Sequence, residues 1–432
     1  MPPQRQCAGP VQCSRSHPGS FAPPCPRSVA ALAWMYGHFG RFWVNGIVII
    51  GGGTAGISVA ARLRRAGRRD VTLVEPAEVH HYQPLWTLVG GGRAPVSASA
   101  RPMRSVVPRG VRWVRSAAVG VDPFARRVLL RDGGIGYDQL VVCPGIQLDW
   151  HRLDGLAQAV GHDGVSSNYA GAYAVEMWRF IREVKAGSAV FAMPSGPIKC
   201  GGAPQKIAYL AADHWRERGV LGRIDVHLVL PGTAMFAVPE YAAVLEGVAR
   251  RYGIHVHLES EVVRVRPSAR EVVVRGPDGE RSLPYDVAHL VPPQSAPDWV
   301  KASPLAGPSG YLDVDPNTLR HLRFPDVFGL GDCAGTPNSK TGAAVRKQAP
   351  VLVANLLAVL AGRELPGSYD GYSSCPITTG RRTLLLAEFD YTGRPRPTVP
   401  LLGAVRERTD HNLVKRRILP FLYWNLMLRG LA

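Results

Sequence analysis

The segment Gly51-Gly-Gly-Thr-Ala-Gly56 constrains the fold more than any other part of the chain. It follows an apolar run at Ile47–Ile50, which predicts a short buried strand, and it precedes residues 57–66, whose spacing predicts a helix. Residues 71–75 predict a second strand. Together these segments form a β-α-β unit of about thirty residues. Such a unit predicts a parallel sheet that carries a dinucleotide-binding turn.

Each glycine of this turn has its own predicted role. Gly51 makes the tight turn, Gly53 lets the backbone approach a diphosphate, and Gly56 allows the helix to pack closely on the strand. Glu75, nineteen residues after Gly56, is expected to accept hydrogen bonds from an adenosine ribose. The alternative is a fortuitous glycine turn without a ligand, against which the flanking strand and helix argue.

Predicted strands and helices continue to alternate along the rest of the chain. The further strands are 140–142, 188–191, 226–230 and 327–330, and the further helices are 205–218 and 241–252. This alternation predicts an α/β fold with two Rossmann-like domains, the second inserted into the first. The predicted regions are an N-terminal extension (1–44), the first domain (45–150 and 291–364), the second domain (151–290) and a C-terminal region (365–432).

The first 44 residues are rich in Arg, Ser and Pro, and the first acidic residue of the chain is Asp70. This composition is typical of an organellar transit peptide. A start assigned too early, with Met35 near the true beginning, explains it equally well. We also predict no single membrane-spanning helix, because the longest apolar stretch, from Pro350 to Ala361, is interrupted by Asn355.

The formal net charge of +18 favours phosphate-bearing cofactors, anionic lipids or nucleic acid as partners. Nucleic acid is not expected, because no basic stretch interleaves aromatic residues in a recognised module. The seven cysteines include no closely spaced pair, so neither a metal site nor a secreted disulfide framework is predicted. The three N-terminal thiols, Cys7, Cys13 and Cys25, are read as inert.

Two downstream motifs identify the expected dinucleotide. Residues 324–332, Phe-Pro-Asp-Val-Phe-Gly-Leu-Gly-Asp, resemble the second FAD motif of flavoproteins with two dinucleotide-binding domains. In that motif Asp332 would bind the ribityl chain. Residues 140–145, which end in Gly145, resemble the short strand-to-glycine motif of the same proteins. FAD is therefore the predicted cofactor.

The second β-α-β unit lacks the fingerprint of a nicotinamide site. Its strand leads into residues 194–206, where no G-x-G-x-x-G pattern fits. Instead, Cys200 precedes a predicted helix and lies near Lys199 and Lys206. A helix N-terminus and ammonium groups both favour a thiolate. We therefore predict a reactive thiol at Cys200, with an inert buried thiol as the alternative.

The chain resembles the sulfide:quinone oxidoreductase family, in particular the type found in mitochondria and some bacteria. The matching segments cover about residues 45–430 in the family's order. They are residues 76–90, 145–149, 198–206, 331–341, 369–376, 387–391 and 420–425.

This resemblance implies that Cys200 and Cys375 are the redox-active pair. Hydrosulfide would attack Cys375 and leave a persulfide there, while Cys200 would pass two electrons to FAD and onward to a quinone. A small thiol or sulfite would remove the outer sulfur, or polysulfide would accumulate. Cys143 and Cys333 are read as structural because each lies inside a cofactor-binding turn.

The resemblance also implies further FAD contacts. Lys340 would offset negative charge on the reduced flavin, with a solvated surface lysine as the alternative. Gln83 and the backbone at Ala118 map onto other FAD contacts, and Thr54 and Ala55 line the diphosphate turn.

The C-terminal tail is expected to dock on a membrane surface, where quinone is found. Its apolar and cationic residues suit the headgroup region; they are Phe421, Leu422, Tyr423, Trp424, Leu426, Met427 and Leu428, with Lys415, Arg416, Arg417 and Arg429. A buried core helix is the alternative. The expected location is the cytoplasmic face of a bacterial inner membrane or, alternatively, the mitochondrial inner membrane.

Two other functions stay open at this point. A type II NADH dehydrogenase would share the fold and FAD but would need a glycine fingerprint near residues 194–202. A non-catalytic sulfur-binding or sensor protein could use the same scaffold.

Overall fold

The computed structural model describes residues 46–398 and 405–432. The predicted N-terminal extension, with Cys7, Cys13 and Cys25, lies outside these residues.

The elements run in the following order. The strands are β1 (Ile47–Ile50), β2 (Val71–Val74), β3 (Val79–His81), β4 (Ala100–Pro102), β5 (Arg112–Val114), β6 (Ala118–Asp122), β7 (Arg127–Leu130), β8 (Gly133–Gly136), β9 (Gln139–Val142), β10 (Gln147–Leu148), β11 (Val165–Ser166), β12 (Gly187–Ala192), β13 (Ile224–Val229), β14 (His255–His257), β15 (Glu261–Arg266), β16 (Glu271–Gly276), β17 (Gly279–Pro284), β18 (Val287–Leu290), β19 (Gln294–Ser295), β20 (Val327–Gly329), β21 (Ser373–Thr378) and β22 (Leu384–Phe389). The helices are α1 (Thr54–Arg65), α2 (Trp86–Gly90), α3 (Met103–Val106), α4 (Leu156–Ala159), α5 (Gly171–Glu183), α6 (Ala203–Glu217), α7 (Pro239–Tyr252), α8 (Asp298–Lys301), α9 (Gly342–Leu360), α10 (Asp410–Leu413) and α11 (Leu419–Asn425).

The first sheet is parallel, with strand order β20-β9-β1-β2-β5. Its central strand β1 is buried along its whole length. A strand covered by layers on both faces needs apolar side chains at every position, which explains the continuous Ile-Val-Ile-Ile run. The β1–α1 turn therefore opens at the carboxyl edge of a rigid sheet.

The second sheet is also parallel, with strand order β11-β18-β12-β13-β14. All its strands lie between β9 and β20 in the sequence, so the second sheet interrupts the chain of the first. The predicted fold class, two Rossmann-like units with one inserted in the other, is confirmed.

Five antiparallel elements were not identified in the sequence. Two are three-stranded meanders, β6-β7-β8 and β15-β16-β17, two are the short strand pairs β3-β4 and β10-β19, and the fifth is the hairpin β21-β22. The hairpin carries Cys375, which pairs with Ala387 across it. Since this hairpin packs on α6, Cys375 joins the apolar cluster of α6 and the second sheet.

Helix α9 is long and apolar enough to cross a membrane by length and composition alone, with a mean hydropathy of 1.3. Half of its apolar window is buried against the first domain. Asn355, in its middle, donates to the Thr318 and Gly367 carbonyl oxygens at 2.9 and 3.0 Å. The apolar stretch is thus longer than the sequence analysis predicts, while the burial and the Asn355 contacts favour a core helix.

The structure of the C-terminal tail differs in part from the prediction. Four of its residues, expected at a membrane surface, are buried in the first domain's core: Tyr423, Trp424, Met427 and Leu428. Other apolar residues stay exposed, namely Leu413, Ile418 and Phe421. One face of the tail is therefore part of the core, because its aromatic side chains fill the space beside α1. The other face presents an apolar stripe to solvent.

Candidate active site

The β1–α1 turn leaves open space on one side only. Gly51 has φ +102°, and a side chain there would place Cβ 2.4 Å from the Cys143 carbonyl oxygen. At Gly56 a Cβ would lie 1.8 Å from the Gly51 carbonyl oxygen, so α1 packs directly on the turn. At Gly53, in contrast, a Cβ would meet no atom within 4 Å. The turn therefore has the shape that approach of a bulky anion requires.

The first turn of α1 supplies donors to this open side. Thr54 and Ala55 begin the helix, where backbone N–H groups have no partners within the helix and attract an anion. Glu75 Oε2 accepts from the Gly52 N–H at 2.7 Å, and Oε1 accepts from the Ala77 N–H at 2.7 Å. Both bonds fix the carboxylate beside the turn, and each oxygen keeps a lone pair for a further donor.

The two downstream FAD motifs lie at the ends of β9, which pairs with β1, and of β20, which pairs with β9. Gly145 has φ +83°, and a Cβ there would meet no atom within 4 Å. Lys340 is buried, and its Nζ donates to the Ala334 carbonyl oxygen at 2.9 Å. Burial lowers the pKa of Lys340 and raises that of Asp332, while the attraction between the two charges opposes both shifts. A solvated surface position for Lys340 is therefore wrong.

The two remaining predicted contacts differ in their surroundings. Gln83 Oε1 accepts from Lys199 Nζ at 2.7 Å, which joins the first domain to the loop before α6. Ala118 lies at the start of β6 and packs against the apolar cluster that includes β1 and β9. Gln83 therefore contacts the loop that carries Cys200, whereas Ala118 packs in the first domain.

Cys200 lies in the loop between β12 and α6, in a strained left-handed conformation with φ +50°. Its N–H donates to the Lys340 carbonyl oxygen at 3.0 Å, and its carbonyl oxygen accepts from the Tyr169 hydroxyl at 3.1 Å. These bonds fix Cys200 next to Lys340, where the two domains meet.

The thiols of Cys200 and Cys375 lie together although 175 positions separate them. Lys206 Nζ donates to Cys200 Sγ at 3.1 Å. A hydrogen bond from Cys375 and the Lys206 ammonium lower the pKa of Cys200 well below its usual range. The same bond and burial raise the pKa of Cys375. The reduced pair therefore holds one proton, with Cys200 as thiolate and Cys375 as thiol.

A second lysine, Lys415, was missed in the sequence as part of this site. The sequence predicts a surface cation of the tail at this position, but Lys415 is only 6% exposed, and its Nζ donates to the Pro376 carbonyl oxygen at 3.0 Å. Burial and repulsion from Lys206 lower the pKa of Lys415 to about 7. No sequence signal indicated this burial, because three consecutive cations, Lys415, Arg416 and Arg417, are typical of a solvated face.

The other two described cysteines lie in cofactor-motif turns. Cys333 Sγ donates to the Val142 carbonyl oxygen at 3.4 Å, and Cys143 Sγ donates to the Gly51 carbonyl oxygen at 3.7 Å. Burial raises the pKa of Cys333 to about 12 and also raises that of Cys143. Both thiols stay protonated near neutrality, which suits a structural role.

Comparison with known proteins adds to this geometry. Residues 45–349 match the family described as pyridine nucleotide-disulphide oxidoreductase. The chain is 39% identical to the mitochondrial sulfide:quinone oxidoreductase of Mus musculus, over 89% of this chain and 86% of that protein. It is also 39% identical to the mitochondrial sulfide:quinone oxidoreductase of Dictyostelium discoideum, over 90% and 86%.

The chain is a member of the sulfide:quinone oxidoreductase family. Membership makes it an FAD-dependent enzyme that oxidises sulfide and reduces a quinone. The structure of the sulfide:quinone oxidoreductase from Aquifex aeolicus has the same fold, with a TM-score of 0.75, 19% identity, and coverage of 89% of this chain and 92% of that one.

The residues around the glycine turn fit FAD. The open side at Gly53 and Gly145 leaves room for a dinucleotide, and the half-buried carboxylate of Asp332 and the buried ammonium of Lys340 follow β20 in the same sheet as polar groups for it. The alternative NADH dehydrogenase activity would need a nicotinamide turn where the structure places Cys200 and Lys206.

Proposed function

We propose that this enzyme oxidises sulfide at Cys375, with Cys200 as the thiol that releases the electron pair. The observation that supports this most is the contact of Lys206 Nζ with Cys200 Sγ at 3.1 Å, beside the thiol of Cys375. This contact stabilises Cys200 as a thiolate and leaves Cys375 as the sulfur that accepts the sulfur of sulfide.

The catalytic cycle starts from the Cys200–Cys375 disulfide, and in the first step hydrosulfide attacks Cys375 Sγ. A bond forms between the incoming sulfur and Cys375, and the Cys375–Cys200 bond breaks. Its electron pair stays on Cys200, where the Lys206 ammonium stabilises the thiolate. Cys200 is the better leaving group because the Lys206 ammonium lies 3.1 Å from its sulfur.

In the second step a nucleophile takes the outer sulfur from the Cys375 persulfide and leaves Cys375 as thiolate. Cys200 and Cys375 then rejoin as a disulfide and release two electrons. Bound FAD would accept this electron pair and deliver it to the quinone. We propose that the FAD lies against Gly51–Gly56, with Glu75, Gly145, Asp332 and Lys340 around it.

The acceptor of the outer sulfur is proposed to be a small anionic nucleophile, either sulfite or a thiolate. Lys206 and Lys415 both direct ammonium groups at the cysteine pair. Two buried cations favour an anion over a neutral acceptor. Without an acceptor, further hydrosulfide would extend the persulfide to polysulfide.

The enzyme is proposed to dock on a membrane surface through the exposed side of its tail. Leu413, Ile418 and Phe421 are exposed, and Arg416 and Arg417 beside them are exposed as well. Apolar residues flanked by cations suit the headgroup region of an anionic bilayer.

Of the two expected locations, the relatives favour one. The relatives from Mus musculus and Dictyostelium discoideum both carry the word mitochondrial in their names, and neither supports a bacterial inner membrane. We therefore propose a mitochondrial membrane as the site of quinone reduction.

The experiment that tests the sulfur chemistry is an anaerobic titration of the purified flavoprotein with sulfide. Bleaching of the flavin by stoichiometric sulfide, followed by reoxidation with a soluble quinone, supports the proposal. A protein that binds sulfide without bleaching would be a sulfur-binding protein rather than an enzyme of this kind.

A further inference from the structure

The hydroxyl of Tyr423 closes a ring of hydrogen bonds at the dinucleotide turn. His80 Nδ1 lies 2.9 Å from the Gly52 carbonyl oxygen, and His80 Nε2 lies 2.6 Å from the Tyr423 hydroxyl oxygen. The same hydroxyl oxygen lies 2.9 Å from Thr54 Oγ1. A tail residue is thus bonded to both sides of the turn from which α1 begins.

Packing fixes the position of the Tyr423 hydroxyl. The side chain is buried, and its ring centroid lies 4.2 Å from that of Tyr82. The neighbouring Trp424 is covered by the Arg101 guanidinium at 4.3 Å from the ring centroid. The position of the ring of hydrogen bonds is therefore set by α11 as a whole.

The direction of every bond in the ring follows from chemistry. A carbonyl oxygen only accepts, so His80 Nδ1–H donates to Gly52. Burial lowers the pKa of His80 to about 4, so the imidazole is neutral near pH 7 and Nε2 accepts. The Tyr423 hydroxyl must then donate to His80, and its oxygen must accept from the Thr54 hydroxyl.

We propose that Tyr423 and His80 are positioning residues for the FAD diphosphate, acting through Gly52 and Thr54. The ring uses the only hydroxyl proton of Thr54, so this hydroxyl cannot also donate to a phosphate oxygen. The diphosphate is then held by backbone N–H groups of the turn, whose orientation the ring maintains. The C-terminal helix is part of the cofactor site as well as of the membrane surface.

This inference rests on the proposed FAD site, and its test separates the two. Apoprotein is prepared for the wild type, Thr54→Val, Tyr423→Phe and the double variant, and the FAD dissociation constant is measured by fluorescence titration. Each single change removes one hydroxyl from the ring and should weaken FAD binding about tenfold. The double variant should bind no more than about twofold more weakly than the weaker single variant, because both changes break the same ring.

Two controls define the effect. Thr54→Ser keeps a hydroxyl and should bind FAD within about twofold of the wild type. The Trp424 side chain packs against His80 and Tyr423, with ring centroids 5.8 and 5.0 Å apart, but it donates or accepts none of the ring's hydrogen bonds. Trp424→Phe therefore reduces packing without removing a hydrogen-bonding group, and it should leave FAD affinity within about twofold as well. Thermal unfolding of each apoprotein shows whether a variant is folded. If Tyr423→Phe does not fold, the cycle of Thr54→Val with His80→Asn gives the same test.

Several outcomes would overturn the inference. Weak binding by Thr54→Val with normal binding by Tyr423→Phe would mean that the Thr54 hydroxyl contacts the diphosphate directly. If the double variant weakened FAD binding by the product of the two single losses, the two residues would act independently. A loss in Trp424→Phe equal to that in Tyr423→Phe would assign the effect to packing. Failure of the wild-type apoprotein to bind FAD would refute the cofactor site itself.

Discussion

The β1–α1 turn and the β12–α6 loop occupy equivalent places in the two parallel sheets, yet they hold different chemistry. In the first, glycines leave the helix N-terminus facing open space at Gly53. In the second, Cys200 lies before α6, and Lys206 in the first helical turn contacts its sulfur. Both places stabilise negative charge, but one does so for a ligand and the other for the protein's own thiolate.

The C-terminal tail connects the two places. Lys415 reaches the cysteine pair by way of Pro376, and Tyr423, eight positions later, reaches Thr54 in the glycine turn. One segment therefore serves both loops. Substitutions in each loop and in the tail should separate the sulfur chemistry from cofactor binding.

The largest effect is expected for Cys200→Ser. Serine cannot leave as a stable anion or give up an electron pair, so sulfide-dependent flavin reduction should fall by at least about a thousandfold. FAD content should remain, since Cys200 does not belong to the glycine turn. Anaerobic stopped-flow absorbance checks the rate. Cys333→Ser is the matched control, because serine can also donate to Val142, and bleaching close to wild type in Cys200→Ser would remove Cys200 from the mechanism.

Lys206→Met should have the next largest effect. Loss of the ammonium raises the pKa of Cys200, so the thiolate forms only at higher pH. Flavin reduction at pH 6 should fall about 10- to 100-fold and recover toward the wild-type rate at pH 9. A pH series of stopped-flow rates checks this, and Lys206→Arg, which keeps the charge, should shift the profile less. An equal loss at every pH would contradict an electrostatic role.

The sequence predicted the local parts of both loops. The glycine turn is contiguous with its strand and helix, and Lys206 lies six positions from Cys200, so pattern and spacing were sufficient. Contacts that depend on the tertiary fold were not visible. Lys415 and Tyr423 meet residues that are distant in the sequence, and their polar and aromatic neighbours are as typical of a membrane surface as of a core. The β21–β22 hairpin likewise shows no turn signal strong enough to place Cys375.

Lys415→Met should lower activity and raise stability. Lys415 is charged below its pKa of about 7, so the variant should slow sulfide-dependent flavin reduction several-fold at pH 6 and hardly at all at pH 9. Between pH 7 and the pKa of an unfolded lysine, the unfolded chain binds the proton and the folded one does not, so stability rises with pH. The variant should therefore be more stable by roughly 2–4 kcal/mol at pH 7. Thermal unfolding across pH checks this, and an unchanged pH profile would contradict it.

The smallest effect on either loop is expected for Phe421→Ser, which changes the exposed side of the tail. Phe421 is 59% exposed, whereas Tyr423, two positions later, is buried, so the substitution should leave both FAD affinity and sulfide-dependent flavin reduction unchanged. Binding to vesicles that contain anionic lipid should weaken about 3- to 10-fold, since the apolar side chain no longer enters the headgroup region. Added salt should weaken the remaining attachment, because Arg416 and Arg417 are exposed beside it. Vesicle sedimentation and steady-state quinone reduction measure these effects. A parallel loss of FAD would show that the exposed side of the tail also supports the glycine turn, and the two faces of this segment would then not be separable.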